Sequence, residues 1–199
     1  GGQVSASDDT TSSSTSTSKD STRTLAVIES DAKSVEKSVA ALQETGDKSL
    51  FNEVTKTDEN GNKTTGYDTD AIYKAVKNFT DSYNSLIDEV GNSNTKSILR
   101  AGASMVNVTE ANRKSLSDIG ISIGADNKLT IDEEKFKKTD MSKVKAMFAD
   151  SSYYGTEVKR QAGRAESYAK SEAAKANTYQ KSGSYTYNYR TGELYNSTI

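Results

Sequence analysis

Apolar residues recur along this chain at alternating steps of three and four, and nothing in the sequence interrupts the helices those steps imply. Leu25, Ile28, Ala32, Val35, Val39 and Leu42 form one seam, with Lys33, Glu36, Lys37 and Gln43 falling off it. Ile72, Val76, Phe79, Tyr83, Leu86 and Val90 form a second and more regular stripe. An α-helix turns once in about 3.6 residues, so a three-four alternation keeps every member on one face. The 199 residues include no Pro, so no helix loses a backbone N–H. The spacing predicts helices over 24–44 and 71–90, the first stopped by Gly46 and the second capped by Asp68.

A third helix is expected from Thr95 to Asp118 on a looser face of Ile98, Met105, Val108, Leu116 and Ile119, interrupted by polar Asn112 and ended by Gly120. Hairpins follow from shorter signals. Val54–Thr57 should pair with Asn62–Thr65 across Asn60-Gly61, because both turn positions tolerate positive φ. Ile121-Ser122-Ile123 and Leu129-Thr130-Ile131 alternate around Asp126-Asn127, which places four aliphatics on one face. Asp132 and Asp140 read as caps of short helices over 133–137 and 141–148, the second turning Val144, Met147 and Phe148 inward. An Ala/Lys/Glu helix should run from Thr156 to about Gln180. Its stripe of Val158, Ala162, Ala165, Ala169, Ala173 and Ala176 buries little area and needs a covering surface. The fold class is therefore mainly α: an elongated antiparallel helical bundle with two or three small β-hairpins.

Composition sets the domain limits. Leu, Ile, Val and Phe make up about 16% of the chain, under the ~20% where disorder becomes an issue for highly charged chains. The 26 basic and 28 acidic residues nearly cancel, so a lean folded protein is expected. Residues 1–22 hold 13 Ser or Thr and one branched aliphatic, Val4, and should form a disordered linker. A helical bundle domain should occupy 23–180, with hairpins near 54–65 and 121–131, and a Tyr-rich hairpin or tail 181–199. Tyr185, Tyr187, Tyr189 and Tyr195 in that tail are candidate partner contacts, half apolar and half hydrogen-bonding.

Several chemistries are excluded by what is missing. Without Cys or His there is no disulfide, thiolate nucleophile, Ser-His-Asp relay or His-bound metal. Asp132-Glu133-Glu134 is the densest carboxylate run, but neighbours on one helical turn splay apart and suit a charged helix start rather than paired acids. Asp58, Asn60 and Asn62 have the spacing of a calcium loop, yet Lys63 stands where Gly is needed and Thr69 where a bidentate Glu is needed. Gly120, Gly124 and Gly155 fit no phosphate loop. No enzyme activity, metal or cofactor is expected. A net charge of −2 and a pI near 5.4 argue against nucleic acid, and no apolar run reaches the ~18 residues of a membrane span. The chain opens Gly1-Gly2 with no initiator Met, which predicts a processed or partial form.

Four segments in order carry a family resemblance. The run 75–87, with Val76, Phe79, Tyr83, Asn84 and Leu86, resembles the "V-x-x-F-V-x-x-Y-N-x-L" helix of flagellar hook-associated protein 2, the filament cap family. Leu116-Ser117-Asp118-Ile119-Gly120-Ile121 is similar to that family's "L-x-x-I-G-I" element. The stretch 127–136 resembles "G-x-L-x-l-D-x-x-x-L", and Val144-Lys145-Ala146-Met147-Phe148 resembles "V-x-x-L-F". The likeness spans about 70–165. It implies a bacterial, secreted structural protein of the flagellum or cell surface, coiled-coil in character, with protein partners: flagellar axial proteins or a second copy of itself. Packing and self-association would rest on Leu25, Ile28, Val35, Val39, Leu42, Ile72, Val76, Phe79, Tyr83, Leu86, Ile119, Gly120, Ile121, Leu129, Ile131 and Phe148. An alternative role is a secreted or wall-associated binding module that uses the Tyr-rich end.

Overall fold

The structure, a computed structural model, describes residues 17–182 and the strands 187–190 and 193–196. Helix α1 spans Thr22–Leu42 and is capped by Ser21, whose side chain accepts from the Thr24 N–H. A single 3₁₀ turn, Gly46–Lys48, leads into strands β1 (Glu53–Thr57) and β2 (Lys63–Tyr67). Helix α2 (Thr69–Val90) is capped by Asp68 through the Ala71 N–H. Helices α3 (Lys96–Ala111) and α4 (Arg113–Asp118) precede strands β3 (Ile121–Ile123) and β4 (Leu129–Ile131). Helices α5 (Glu133–Lys138), α6 (Met141–Phe148) and α7 (Tyr153–Ser182) follow, then strands β5 (Tyr187–Arg190) and β6 (Glu193–Asn196). The fold is mainly α with small two-stranded antiparallel sheets.

Four long helices form a ring of neighbours: α1 packs on α2 and α7, and α3 packs on α2 and α7. Cross-helix contacts fix the directions. Gln43 at the end of α1 donates to Thr156 Oγ1 near the start of α7 at 3.1 Å. Ten residues earlier on α1, Lys33 lies 3.7 Å from Glu166, ten residues further along α7. These helices are therefore antiparallel. The short turn Gly91–Thr95 reverses α2 into α3, and Thr109 near the end of α3 meets Tyr154 at the start of α7. The result is an up-down-up-down four-helix bundle built on facing apolar stripes, with a short connection only between α2 and α3 and longer, hairpin-bearing ones elsewhere.

The expected third helix is corrected to two. At Asn112 the backbone leaves helical geometry (φ −106°, ψ 15°), and its side-chain amide donates back to the Val108 carbonyl at 2.8 Å. An Asn competing for the local backbone in this way opens the helix and re-aims the last six residues, burying Leu116 under the β3–β4 hairpin. Helix α7 begins at Tyr153, three residues before its expected start, and Tyr154 joins the core.

The hairpins differ in setting. In β3–β4, Ile121 pairs with Ile131 and Ile123 with Leu129. Asn127 takes φ 67° in the turn. Asn84 of α2 ties this hairpin down, donating to the Leu129 carbonyl at 2.8 Å and accepting from its N–H at 2.7 Å. By contrast β1 is exposed along its whole length, and β2 along its first three residues. Its tip turns through Gly61 at φ 84°, with the Asp58 carboxylate accepting from the Asn60 and Asn62 N–H groups at 2.9 and 2.8 Å.

Candidate functional site: the helical seams and the α3–α7 groove

The seam residues lie inside the single chain. Leu25, Ile28, Val35, Val39, Leu42, Ile72, Val76, Phe79, Tyr83, Leu86, Ile121 and Phe148 are fully buried. Ile119 and Leu129 are nearly so, Gly120 is buried, and Ile131 is half-buried against the same core. Their apolar area is consumed by intramolecular contact, so a second copy of the chain would have to meet other surfaces.

At the centre is an aromatic cluster. Phe79 makes edge contacts with Phe148 at 5.1 Å and with Tyr154 at 6.1 Å between centroids, and Phe148 with Tyr154 at 5.7 Å. These are the T-shaped arrangements that ring quadrupoles prefer. The two buried phenols need partners, and Thr109 serves both. Tyr83 donates to Thr109 Oγ1 at 2.9 Å, and that oxygen lies 3.0 Å from the Tyr154 hydroxyl. Burial pushes the Tyr83 phenol up to about 12 despite the Thr109 bond. Burial and nearby Tyr83 raise Tyr154 well above the ordinary phenol range. Both stay neutral at any physiological pH and serve as structural groups.

The carboxylate run at 132–134 is spent on local structure. Asp132 caps α5 through the Lys135 N–H at 3.0 Å, and Glu133 and Glu134 pair one turn on with Lys137 and Lys138 at 2.7 and 2.8 Å. The carboxylate run thus serves as a helix start. Among the described residues no group of three or more carboxylates is placed to hold a metal, and no helix is long and apolar enough to cross a membrane.

Three polar features carry no periodic signal. Asp20, which follows the Ser/Thr-rich stretch and belongs by composition to 1–22, is buried and accepts from Ser93 Oγ at 2.6 Å, Asn94 N–H at 2.6 Å and Thr95 Oγ1 at 2.7 Å. Between α1 and α7, Glu36 faces Glu166. Burial first, then that like charge and a shared hydrogen bond, raises the Glu36 carboxyl, against the pull of Lys159 and Lys170. Between α3 and α7 runs a groove of about 200 Å³ flanked by Arg100 and Arg164. Asp20 was detectable only as an acidic residue just ahead of a helix start; the other two needed the helix pairing.

The Tyr-rich end is described in backbone only. Tyr187 pairs with Asn196, Tyr189 with Leu194, and Tyr195 with Asn188 rather than with another Tyr. Tyr185 lies outside the described residues.

Comparison with curated proteins and with solved structures gives no match. The family described as flagellar hook-associated protein 2 C-terminus matches residues 93–198. This interval differs from the span read from motifs. It omits the α2 stripe of Val76, Phe79 and Tyr83, and it takes in the Ala-rich helix and the Tyr-containing strands. Three of the four motif segments, from Leu116 to Phe148, fall within it. With more than half its length matched, the chain belongs to the flagellar hook-associated protein 2 C-terminal family.

Proposed function

We propose that this chain is a non-catalytic structural component of a bacterial flagellum, related to the helical region of the filament cap, and that it works outside the cell by associating with flagellar axial proteins or with itself. The family match over 93–198 carries this reading. It is supported by a bundle whose buried aromatic rings are taken up in core packing and whose 132–134 carboxylates are taken up by a helix cap and ion pairs. With the seams buried, association would use the outer helix faces and the exposed β1–β2 ribbon.

Immunogold labelling of intact, sheared and lysed producer cells tests this. Label on the intact surface or in the sheared filament fraction is expected; label confined to the lysate overturns the proposal. The alternative, a binding module using the Tyr-rich hairpin, is favoured only by the pairing of β5 with β6. Under that reading, deleting 184–199 abolishes cell or glycan binding and leaves helicity unchanged.

A further inference from the structure

The groove between α3 and α7 is flanked by two arginines that no salt bridge among the described residues holds, with the Glu157 carboxylate acting on Arg164 only at longer range. Ser97, Arg100 and Ser104 line it from α3, and Gln161, Arg164 and Tyr168 from α7. Steps of three, four and seven keep each set on one helical face, so the two rows meet across the groove. Neighbouring arginines are treated differently. Arg113 is held by Glu110 at 2.6 Å and Arg160 by Glu157 at 2.7 Å. Arg100 and Arg164 make no ion pair with any carboxylate among the described residues.

A second observation points the same way. Gln161 is only 6% exposed and donates its amide to Glu157 Oε1 at 3.2 Å, while its own Oε1 is buried without a partner. A buried carbonyl left unpaired costs free energy that an incoming donor recovers. The site therefore offers two guanidinium forks for an anion and one acceptor for an N–H. An acidic residue in a peptide supplies both, its carboxylate to the forks and its backbone amide to Gln161, whose carbonyl is closed to solvent and must turn outward to accept it. Tyr168, 37% exposed, adds an apolar wall with a hydroxyl. The volume of about 200 Å³ is below the ~300–1,000 Å³ of sites for whole small molecules and suits one side chain.

We infer that the α3–α7 groove is a docking site for an acidic peptide segment of a partner protein, with a Glu or Asp carboxylate held between Arg100 and Arg164. Planar bidentate pairing with a carboxylate is the geometry for which arginine is suited. The inference stands apart from the flagellar reading, since an acidic segment could come from any protein partner.

The test uses the full, isotope-labelled chain and a capped tetrapeptide containing two adjacent glutamates, at fixed ionic strength. Saturable NMR shifts are expected at the Arg100 and Arg164 Nε–H groups and at the Gln161 amide. Arg100→Gln and Arg164→Gln should each weaken binding by about tenfold, while Arg113→Gln leaves it unchanged. All three side chains are exposed, so the fold is retained; the wild-type shift map decides the matter if a variant is lost. Non-saturating shifts spread evenly over Arg23, Arg113 and Arg160 overturn the proposal. So does equal affinity for free glutarate or for the matching glutamine peptide.

Discussion

Asp20 and Ser93 stand 73 positions apart in the chain and 2.6 Å apart in space, carboxylate oxygen to hydroxyl. With Asn94 N–H and Thr95 Oγ1 also on that carboxylate, the residue just before α1 ties down the reversal between α2 and α3. Burial alone would raise Asp20, but these donors together outweigh it and hold the carboxyl below its ordinary value. Asp20→Ala should cost about 1–3 kcal/mol at pH 7 in urea unfolding, the scale of losing charged hydrogen bonds. Because the folded value is depressed, this stabilisation is present above the unfolded value and disappears as pH falls through the folded one. The gap between wild type and variant should therefore close in acid.

Glu36 should show the opposite sign. Its carboxyl is raised by burial and by Glu166, so its contribution is full below the unfolded value and is lost as pH rises through the folded one. Glu36→Gln removes the titration and one like charge. At pH 7 the variant should be more stable than wild type by a few tenths to about 1 kcal/mol, the screened scale of partly exposed charges. Its advantage should vanish as pH is lowered past the carboxyl range, read by thermal unfolding across a pH series.

The shared hydroxyl of Thr109 makes a double-mutant cycle informative. Thr109→Val leaves the buried Tyr83 and Tyr154 phenols without this partner and should cost about 1–3 kcal/mol. Tyr83→Phe should cost less in that background than in wild type, since the two residues act through one bond. In alkaline spectrophotometric titration, Tyr83 should ionise only as pH approaches about 12. Stability should fall as pH rises from about 10 toward 12.

Gly120 adopts φ 89°, and a Cβ there would lie 3.0 Å from the Phe136 nitrogen and 3.2 Å from the Asp132 carbonyl oxygen. Gly120→Ala should cost at least the ~1–2 kcal/mol of left-handed strain, plus displacement of the start of α5. Gly61→Ala has the same strain at φ 84° but open space around it, so it should cost less. Chemical denaturation of the two variants side by side checks the difference.

The periodic parts of the molecule were legible without coordinates. The α1 and α2 stripes, the Asp68, Asp132 and Asp140 caps and the β3–β4 hairpin all follow from residue spacing and from donors left free at helix ends. Asn112 was visible as a polar break in an apolar face, but whether an Asn interrupts a helix depends on what the following residues can bury, here Leu116. The α3–α7 groove was not legible. Arg100 and Arg164 are ordinary surface arginines until two separate helices place them at one crevice, and the same holds for Glu36 and Glu166.

The ring closes last at α7, which covers both α1 and α3 with a stripe of Val158 and small alanines. While the chain is still emerging from a ribosome, the greasy flanks of α1 and α3 that α7 will cover lie open to water until that helix follows. That half-made form is the one with the most apolar surface to conceal.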